Sequence, residues 1–473
     1  MTKFSELQSI SPIDGRYRSR VTELVPYFSQ FALDRERVYV EVEYLIELSK
    51  LDQVKIELPP EELRKIYEGF EIEDSQLIRQ IDQDGYQDIA PTHHDVKAVE
   101  YYLRMEIQEA NLEELVPFIH FGLTSEDVNN LAYNRLIKGA AEGPMVGALL
   151  DILGRLADLV EANADQPMLG RTHGQPATPT TLGKEFAVFL SRLIGGLEKL
   201  RRMTGELTGK LAGATGNLSA HRDSFSRVDW LEFSESFVSR LGLKPNAVVT
   251  QIEPYDNLAD LFHCYSSINN VLLDLARDCW TYISQGYFSQ KAVSGEVGSS
   301  TMPQKVNPID FENGEGNLSK ANSDLEFLAS YLTTSRMQRD LSDSTVRRNI
   351  GVAFAHSLIG YKSVLRGLNK IEPNKDALDG DLERHPEVLS ESWQTSMRKY
   401  GHIDAYEVVK DLVRGKDLDY DEVIGLIDEL PLPTNEKARL KKLTPKGYVG
   451  LAEELAESVA EEARRVLEES AGS

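Results

Sequence analysis

The residues best suited to chemistry lie in one short segment, residues 298–308, with the sequence GSSTMPQKVNP. Two adjacent serines, Ser299 and Ser300, are followed by Lys305 and Asn307. One glycine and two prolines disfavour a helix interior, so the segment is predicted to be an exposed loop. Its hydroxyl, ammonium and amide groups can bind a carboxylate and hold a serine near a cation. By composition alone, a surface loop without chemistry fits equally well.

A second segment with chemical potential is residues 171–179, RTHGQPATP, which contains His173. The flanking glycine and proline place this histidine in a loop leading into a helix, away from any apolar stripe. Histidine is the side chain that exchanges a proton near neutral pH, which suits a general acid or base. A single histidine in such a place is more often a structural hydrogen-bonding residue, so this residue alone leaves both interpretations open.

The segment 298–308 resembles the signature loop of the fumarase/aspartase superfamily, whose members eliminate fumarate from succinyl-type substrates. Residues 309–313, IDFEN, narrow the resemblance to the adenylosuccinate lyase family, in its longer bacterial type. The resemblance extends from residues 11–17, SPIDGRY, to residues 440–445, LKKLTP. It implies β-elimination of fumarate from adenylosuccinate, giving AMP, and from succinyl-aminoimidazole carboxamide ribotide (SAICAR), giving AICAR, in purine nucleotide biosynthesis.

Such an elimination needs both a base and an acid. Removing a proton beside a carboxylate builds negative charge there, and breaking the C–N bond requires a proton for the departing nitrogen. The resemblance assigns the general acid to His173 and the general base to Ser299. A serine hydroxyl is a poor base unless its alkoxide is stabilised, which water exclusion, backbone amides and Lys305 could provide. The residues by themselves do not choose between Ser299 and Ser300.

The resemblance also implies a set of substrate-binding residues, most of which would, taken singly, be solvated surface positions. Guanidinium groups bind phosphate through two hydrogen bonds, which suits the arginines of the set to the nucleotide phosphate. The phosphate clamp would comprise Arg16, Tyr17, Arg339, Ser344 and Arg348, and the succinyl carboxylates would contact Lys305, Asn307, Thr124 and Ser125. The other members are His93, His94 (near the phosphate and succinyl groups), Asp95, His120 (a supporting polar role), Thr172, Gln251 and Asn313 (substrate contacts), Ser300, and Glu312 (orienting His173 or the loop).

Two positions depart from the family pattern. Gln304 stands where the family usually has histidine, and His93 stands where related enzymes often have asparagine. Neither position is a proposed acid or base, and either change could alter the pH dependence or the behaviour of the loop. Local capping is also predicted: Thr92 or Asp95 should cap a helix that follows. A second helix should restart after a bend at Gly122, with Thr124 or Ser125 as its N-cap and Asp127 close behind.

Long apolar stripes with helical spacing indicate the elements that must hold these residues. They occupy residues 146–160, 182–200, 258–282 and 352–368, and they predict an all-α fold built on a helical bundle. The resemblance implies the three-domain fold of the superfamily with a long central bundle, and a homotetramer with a twenty-helix core and active sites shared between subunits. The predicted domains are an N-terminal mainly helical domain, residues 1–113; a central long-helix bundle domain carrying the signature loop, residues 114–369; and a small helical C-terminal domain, residues 370–473.

Composition excludes several classes of partner. The 473-residue chain has a formal net charge of -24, which argues against nucleic acid or an anionic membrane as partner. It contains no apolar run of transmembrane length and no signal-peptide core at its start. Cys264 and Cys279 lie too far apart on one predicted helix for a disulfide, which fits buried thiols in a reducing cytoplasm. With no dinucleotide fingerprint or P-loop, no cofactor and no metal are expected.

Three alternatives compete with this interpretation. Another fumarate-releasing lyase, such as argininosuccinate lyase or fumarase, would share the loop but would not require the clamp of Arg16, Arg339 and Arg348. A metalloenzyme could use the histidines of the set together with Asp95, but their spacing matches no metal-ligand motif. A non-catalytic bundle protein could retain the fold, since fold does not imply function. The acid, the loop serines and the lysine argue against that last alternative.

Overall fold

The computed structural model describes residues 5–291, 302, 305–415 and 418–472, and α-helix dominates this part of the chain. In chain order, the α-helices of the described residues are α1 Val25–Phe28, α2 Gln30–Ser49, α3 Pro60–Glu68, α4 Ile72–Gln83, α5 Asp95–Glu109, α6 Ser125–Ala140, α7 Val146–Ala162, α8 Leu182–Gly205, α9 Ser219–Ser224, α10 Trp230–Arg240, α11 Asp256–Ser284, α12 Ile309–Leu332, α13 Ser342–Arg347, α14 Ile350–Lys370, α15 Lys375–Glu383, α16 Ser390–Lys399, α17 Ala405–Val413, α18 Tyr420–Leu426, α19 Thr434–Leu440 and α20 Ala452–Ala471. The predicted all-α class is confirmed. Among these helices, none is both long and apolar enough to cross a membrane.

The four apolar stripes correspond to α7, α8, α11 and α14, so the predicted long helices are confirmed. The 24-residue helix α12 was not predicted from a stripe. Its buried face mixes Leu318, Leu325 and Leu328 with Asn317 and Asn322, and these polar residues interrupt the apolar periodicity. The structure therefore contains a long helix whose buried face is partly polar.

Short strands form three two-stranded sheets in the described residues, none of which was predicted. Strands β1 Pro167–Thr172 and β2 Gln175–Thr181 pair antiparallel, β3 Thr208–Gly209 and β4 Lys244–Pro245 pair parallel, and β5 Phe288–Gln290 and β6 Ile371–Pro373 pair antiparallel. The helical bundle thus carries small β-elements at the ends of its helices.

The chain divides into two compact units. Unit 1 comprises Met1–Ala148, Gly196–Asn270 and Asn317–Gly360, and unit 2 comprises Leu149–Gly195, Val271–Gly316 and Tyr361–Ser473. The division between residues 113 and 114 and between residues 369 and 370 stays a prediction.

In unit 1, α2 is buried along nearly its whole length and packs against α3, α4, α5 and α6. Apolar residues of α2 and α5, such as Val42 and Val99, form the core of this region. Helix α2 also buries charged side chains, including Arg37 and Glu41. Burying a charge is costly unless it is paired, so these residues require partners from other segments. Two of those partners, Asp95 for Arg37 and His120 for Glu41, are predicted site residues.

In unit 2, the C-terminal segments have a core of their own around Trp393, Met397 and Leu440. The last helix, α20, is held through Arg464, whose Nη2 lies 2.7 Å from Asp158 Oδ1 and 2.7 Å from Glu161 Oε2. These pairs are partly exposed and contribute modestly to stability. Unit 2 also contains the β1–β2 hairpin, which carries the predicted general acid.

Candidate active site

The first cluster of candidate residues lies at the N-terminus of α6. Gly122 has a φ of +70°, a conformation that favours glycine, and the predicted bend is confirmed there. Thr124 caps the helix: its backbone N–H donates to Asp127 Oδ2 at 2.8 Å, and its hydroxyl lies 3.1 Å from the same oxygen. The prediction of Thr124 or Ser125 as cap is thus resolved in favour of Thr124, with Ser125 as the first helical residue.

The other oxygen of Asp127 ties this helix start to a distant segment. Asp127 Oδ1 accepts hydrogen bonds from the backbone N–H groups of Ala212 at 2.8 Å and Gly213 at 3.2 Å. It also lies 2.9 Å from the ammonium nitrogen of Lys210, and both side chains are fully buried. The burial of Lys210 is not predictable from the sequence, because a lysine beside a strand gives no sign that it is buried.

Glu126, the next residue along, is the centre of a buried ionic cluster. Its Oε1 accepts hydrogen bonds from Arg347 Nη2 at 2.7 Å and Arg339 Nη2 at 3.1 Å. Arg347 also donates to Tyr255 Oη at 2.7 Å and lies 3.0 Å from Asp343 Oδ2. Burial by itself would raise the pKa of Glu126, but the two arginines outweigh it and lower this pKa to about 2.

Through this cluster, three predicted substrate-binding residues are brought together. Arg339 Nη1 donates to Gln251 Oε1 at 3.2 Å and to Ser125 Oγ at 3.4 Å. The Gln251 amide is oriented from its other end, since its Nε2 donates to the Ala214 carbonyl at 2.9 Å. Arg339, Gln251 and Ser125 therefore present one polar surface supported by Glu126.

Neither Glu126 nor Arg347 was predicted from the sequence to belong to the site. An acidic residue in the first turn of a helix is ordinary, so nothing in the sequence marks Glu126 as buried. The spacing of Asp343 and Arg347, four residues apart on a helix, is a signal that could have revealed their ion pair. The side chain of Arg347 is 1% exposed and that of Arg348 is 48% exposed. Of these two neighbouring arginines, Arg348 is therefore the one that can reach a ligand.

Arg348 belongs to a second polar cluster, at the start of α5. Its Nη2 lies 3.0 Å from Asp95 Oδ2, which also accepts from Arg37 Nη2 at 2.8 Å. Burial would raise the pKa of Asp95, but the guanidinium of Arg37, aided by Arg348, lowers it to about 2. Asp95 thus stays ionised and holds Arg348 in the absence of any ligand. Ser344 lies in α13, one turn before Arg348.

The predicted N-cap of α5, Thr92 or Asp95, is wrong. His94 is the N-cap, and its Nδ1 accepts the backbone N–H of Lys97 at 3.1 Å. Thr92 instead places its hydroxyl 3.3 Å from Asp82 Oδ1, and Asp95 is the first residue of the helix. An imidazole nitrogen two bonds from Cβ can take the place of a capping carboxylate. In the neutral form of His94 this contact leaves Nε2 as the N–H donor.

The other predicted site residues of unit 1 lie in turns that precede helices. Arg16 is exposed and Tyr17 is half-buried in a turn before α1. Arg18, the residue after Tyr17, lines a cleft of about 340 Å³ together with Arg348. The segment that carries Arg16 and Tyr17 is therefore close to the second polar cluster. His93 has a φ of +46° and an exposed side chain. His120 lies in the turn before α6, with its Nδ1 2.5 Å from Glu41 Oε1.

In unit 2, His173 lies at the tip of the β1–β2 hairpin: the predicted loop is confirmed, but the prediction that it leads into a helix is wrong, because strand β2 follows it. His173 and Gly174 have φ values of +53° and +73°, as a two-residue hairpin turn of type I′ requires. Strand β2 follows, and α8 begins only at Leu182. His173 and Thr172 are both exposed, and no hydrogen bond joins the His173 imidazole to another described residue.

The hairpin is anchored one residue before Thr172. Arg171 Nη2 donates to Asp381 Oδ2 at 2.5 Å, and Tyr287 donates to the same oxygen. Burial would raise the pKa of Asp381, but these hydrogen bonds outweigh it and the pKa is lowered. The ion pair therefore holds the hairpin two residues before His173, close to its tip.

Of the signature segment, Ser299, Ser300 and Gln304 lie outside the described residues. Lys305 is exposed and Asn307 is half-buried, both ahead of α12. Gln290 Nε2 donates to the Val306 carbonyl at 3.1 Å. At the start of α12, Glu312 accepts from Trp280 Nε1 at 3.2 Å. Asn313 Oδ1 accepts from Ser363 Oγ at 2.8 Å.

Within the described residues, no group of three or more His, Cys, Asp or Glu side chains is arranged to hold a metal ion. Cys264 and Cys279 are both buried and free, as predicted, and burial raises the pKa of each thiol. Their side chains therefore belong to the helix packing.

The chain belongs to a family of lyases. Residues 15–322 match the family described as Lyase. Two solved structures share the fold: a fumarate lyase from Mesorhizobium sp. BNC1, with a TM-score of 0.73, and the 3-carboxy-cis,cis-muconate lactonizing enzyme from Pseudomonas putida, with a TM-score of 0.71. Each is 18% identical in sequence; the first comparison covers 93% of this chain and 97% of that structure, and the second covers 94% and 97%.

Sequence comparison narrows the class further. Residues 335–449 match the family described as Adenylosuccinate lyase C-terminal. The chain is 46% identical to the adenylosuccinate lyase of Legionella pneumophila (strain Corby), 45% to that of Escherichia coli (strain K12) and 46% to that of Dictyostelium discoideum; each comparison covers 95% of this chain and 98% of the relative. The chain belongs to the adenylosuccinate lyase family, and the predicted resemblance is confirmed.

Proposed function

We propose that this lyase eliminates fumarate from adenylosuccinate to give AMP, and from SAICAR to give AICAR, by general acid/base catalysis. The proposal is supported above all by the 46% identity to adenylosuccinate lyases along nearly the whole chain. The polar surface of Arg339, Gln251 and Ser125 supports it further, because it combines a cation, an amide and a hydroxyl that suit a polyanionic nucleotide.

The proposed base is Ser299 and the proposed acid is His173. Ser299 takes the proton from the carbon beside a succinyl carboxylate, and the C–H electron pair becomes the second bond of the fumarate double bond. The C–N bond breaks with its electrons on nitrogen, which receives the proton of His173. Each positioned proton transfer typically contributes roughly 10²–10⁴-fold in rate.

Charge stabilisation would come from fixed donors around the substrate. Lys305 and Asn307, with Thr124 and Ser125, are assigned to the succinyl carboxylates. The phosphate is assigned to Arg16, Tyr17, Arg339, Ser344 and Arg348. The proposed site is completed by His93, His94, Asp95, His120, Thr172, Gln251, Ser300, Glu312 and Asn313. Asp95 would release Arg348 to the phosphate, exchanging one anionic partner for another.

The proposal includes a cytoplasmic homotetramer whose sites combine residues from several subunits. The exposure of His173 and Thr172 in the single chain supports this, because a general acid works best where water is excluded. A neighbouring subunit would cover the hairpin tip. Sedimentation of the purified protein at several concentrations measures the oligomeric state directly.

The test is ultraviolet-monitored cleavage of adenylosuccinate by the wild type, His173→Ala and Ser299→Ala. We expect cleavage by the wild type and losses of at least about 100-fold in kcat for each variant. His402→Ala, at a histidine outside the proposed site, is the control that should retain activity. An active Ser299→Ala would refute the choice of base alone. A wild type that is inert on adenylosuccinate yet cleaves another succinyl compound would refute the proposed substrate.

A further inference from the structure

A buried carboxylate on α2 faces a histidine of the proposed site. Glu41 is 2% exposed, and its Oε1 lies 2.5 Å from His120 Nδ1. The second oxygen of Glu41 is buried without a hydrogen-bond partner among the described residues. The charge of this carboxylate is therefore compensated through one contact, with the imidazole ring.

The backbone holds His120 in the same place. Its φ of +57° is the left-handed region, which costs a non-glycine residue of order 1 kcal/mol or more. Such a conformation persists only where surrounding contacts determine it. The turn is fixed on one side by Tyr44, whose hydroxyl donates to the Phe121 carbonyl at 2.7 Å. On the other side, Thr124 caps α6, which begins at Ser125.

The charged groups that face His120 from the neighbouring helices are acidic. Glu41 comes from α2, Glu100 from α5, with its Oε1 4.0 Å from His120 Nε2, and Asp127 from α6. Burial lowers the pKa of His120, but these carboxylates outweigh it, Glu41 most, and raise the pKa to about 9.

Two of those carboxylates are already paired with lysines. Glu100 Oε2 lies 2.6 Å from the ammonium nitrogen of Lys97, and Asp127 is paired with Lys210. Glu41 is the acidic neighbour that depends on the imidazole itself. Nε2 makes no hydrogen bond with another described residue and is not fully enclosed. One N–H of the ring is thus committed to Glu41, and the other remains for a ligand.

We propose that Glu41 is a positioning residue that keeps His120 doubly protonated and orients its ring, leaving the Nε2–H group for an anionic group of the substrate. This inference rests on the proposed function, which supplies the anionic substrate. Purely structural burial would not require a carboxylate here, since an apolar side chain stabilises a core at least as well. On a body of net charge -24, a fixed cation also offsets the repulsion of a polyanion.

The first test observes the ring itself. Histidine labelled with ¹³C at Cε1 is incorporated into the full-length protein, and the His120 resonance is assigned by its loss in His120→Gln. We expect this resonance to titrate with a midpoint near pH 9 in the wild type. In Glu41→Gln we expect it to titrate about two units lower, near the usual range for histidine. Glu100→Gln, which removes the more distant carboxylate, should give a smaller change.

A His120 that titrates near pH 6.5 in the wild type would overturn the proposal, whether or not Glu41→Gln folds. A titration unchanged by Glu41→Gln would overturn it equally. Both results are independent of turnover. If the titrations are as expected and the wild type is inert on adenylosuccinate, the pair stands and the proposed function fails.

The second test separates positioning from simple structural support through kinetics. With adenylosuccinate at pH 8, we expect Glu41→Gln to raise KM by roughly 10-fold, the smaller end of the effect of a charged hydrogen bond. The value of kcat should change much less. At pH 6 the KM difference should shrink, because His120 then protonates without help from Glu41. A KM ratio that is the same at both pH values would indicate a merely structural role and refute the inference.

Discussion

Replacing Glu126 with glutamine removes one negative charge from the buried cluster and leaves the shape of the side chain nearly unchanged. Arg347, 1% exposed, would keep Asp343 and Tyr255 as partners, and Arg339 would lose its ionic anchor. The side-chain amide can still accept one hydrogen bond, so the change measures mainly the loss of charge. We expect both stability and substrate binding to fall.

Two routes give the same magnitude for the loss of stability. Removing one partner of a buried ion pair typically costs about 3–5 kcal/mol. Independently, the pKa of Glu126 is lowered from 4.5 to about 2, and at about 1.36 kcal/mol per unit this corresponds to about 3 kcal/mol. We therefore expect Glu126→Gln to lower the free energy of unfolding by about 3 kcal/mol near neutral pH.

The sign of the pH dependence follows from the lowered pKa in the folded state. The contribution of Glu126 is fully present above the unfolded pKa of about 4.5, and it is lost as pH falls towards 2. The difference between wild type and Glu126→Gln should accordingly shrink by about 1.4 kcal/mol per pH unit in that window. Urea unfolding at a fixed protomer concentration, from pH 7.5 downwards, measures this difference.

The matched control is Glu142→Gln. Glu142 is 57% exposed and lies 3.9 Å from Lys138, a surface pair whose loss should cost less than about 1 kcal/mol. A loss in Glu126→Gln no larger than in this control would refute the argument that the buried cluster stabilises the fold. A difference that stays constant down to pH 3 would refute the assignment of a lowered pKa to Glu126.

Three further predictions concern the elements that carry the proposed site. Gly122→Ala should lower the free energy of unfolding by about 2–4 kcal/mol, because φ is +70° and the new Cβ would lie 2.6 Å from His221 Cε1. Gly147→Ala is the control: its new Cβ would have no atom within 4 Å, so urea unfolding should show no loss of stability. Asp381→Asn should loosen the His173 hairpin and lower kcat by roughly 10-fold in steady-state assays, with KM less affected. Arg348→Lys should raise KM by at least about 10-fold with kcat nearly unchanged, because lysine cannot form the bidentate contact with phosphate.

Each of these has a result that would contradict it. Equal unfolding midpoints for the two glycine variants would show that the turn tolerates a side chain. An Asp381→Asn enzyme with wild-type kcat would mean that the hairpin is held without its ion pair. A decrease in kcat at constant KM in Arg348→Lys would place this arginine at the reacting atoms and remove it from the phosphate clamp.

The sequence by itself determined the helical class, the long helices and the family. Helical periodicity is local, so the apolar stripes of α7, α8, α11 and α14 are visible without any tertiary information. The candidate loop residues and His173 could be named because their motifs are contiguous in the chain. Thr124 could be expected at a helix start for the same reason, since capping involves residues three positions apart.

Tertiary structure alone decided which charged residues are buried and what they contact. Glu126 and Arg347 are 221 residues apart in the chain, and Glu41 and His120 are 79 apart. A buried charge is stable only when a distant segment supplies its partner, and no local pattern records that partner. The His173 hairpin and the polar face of α12 escaped prediction for a related reason. Their residues have weak local preferences, and packing with the rest of the chain determines their conformation.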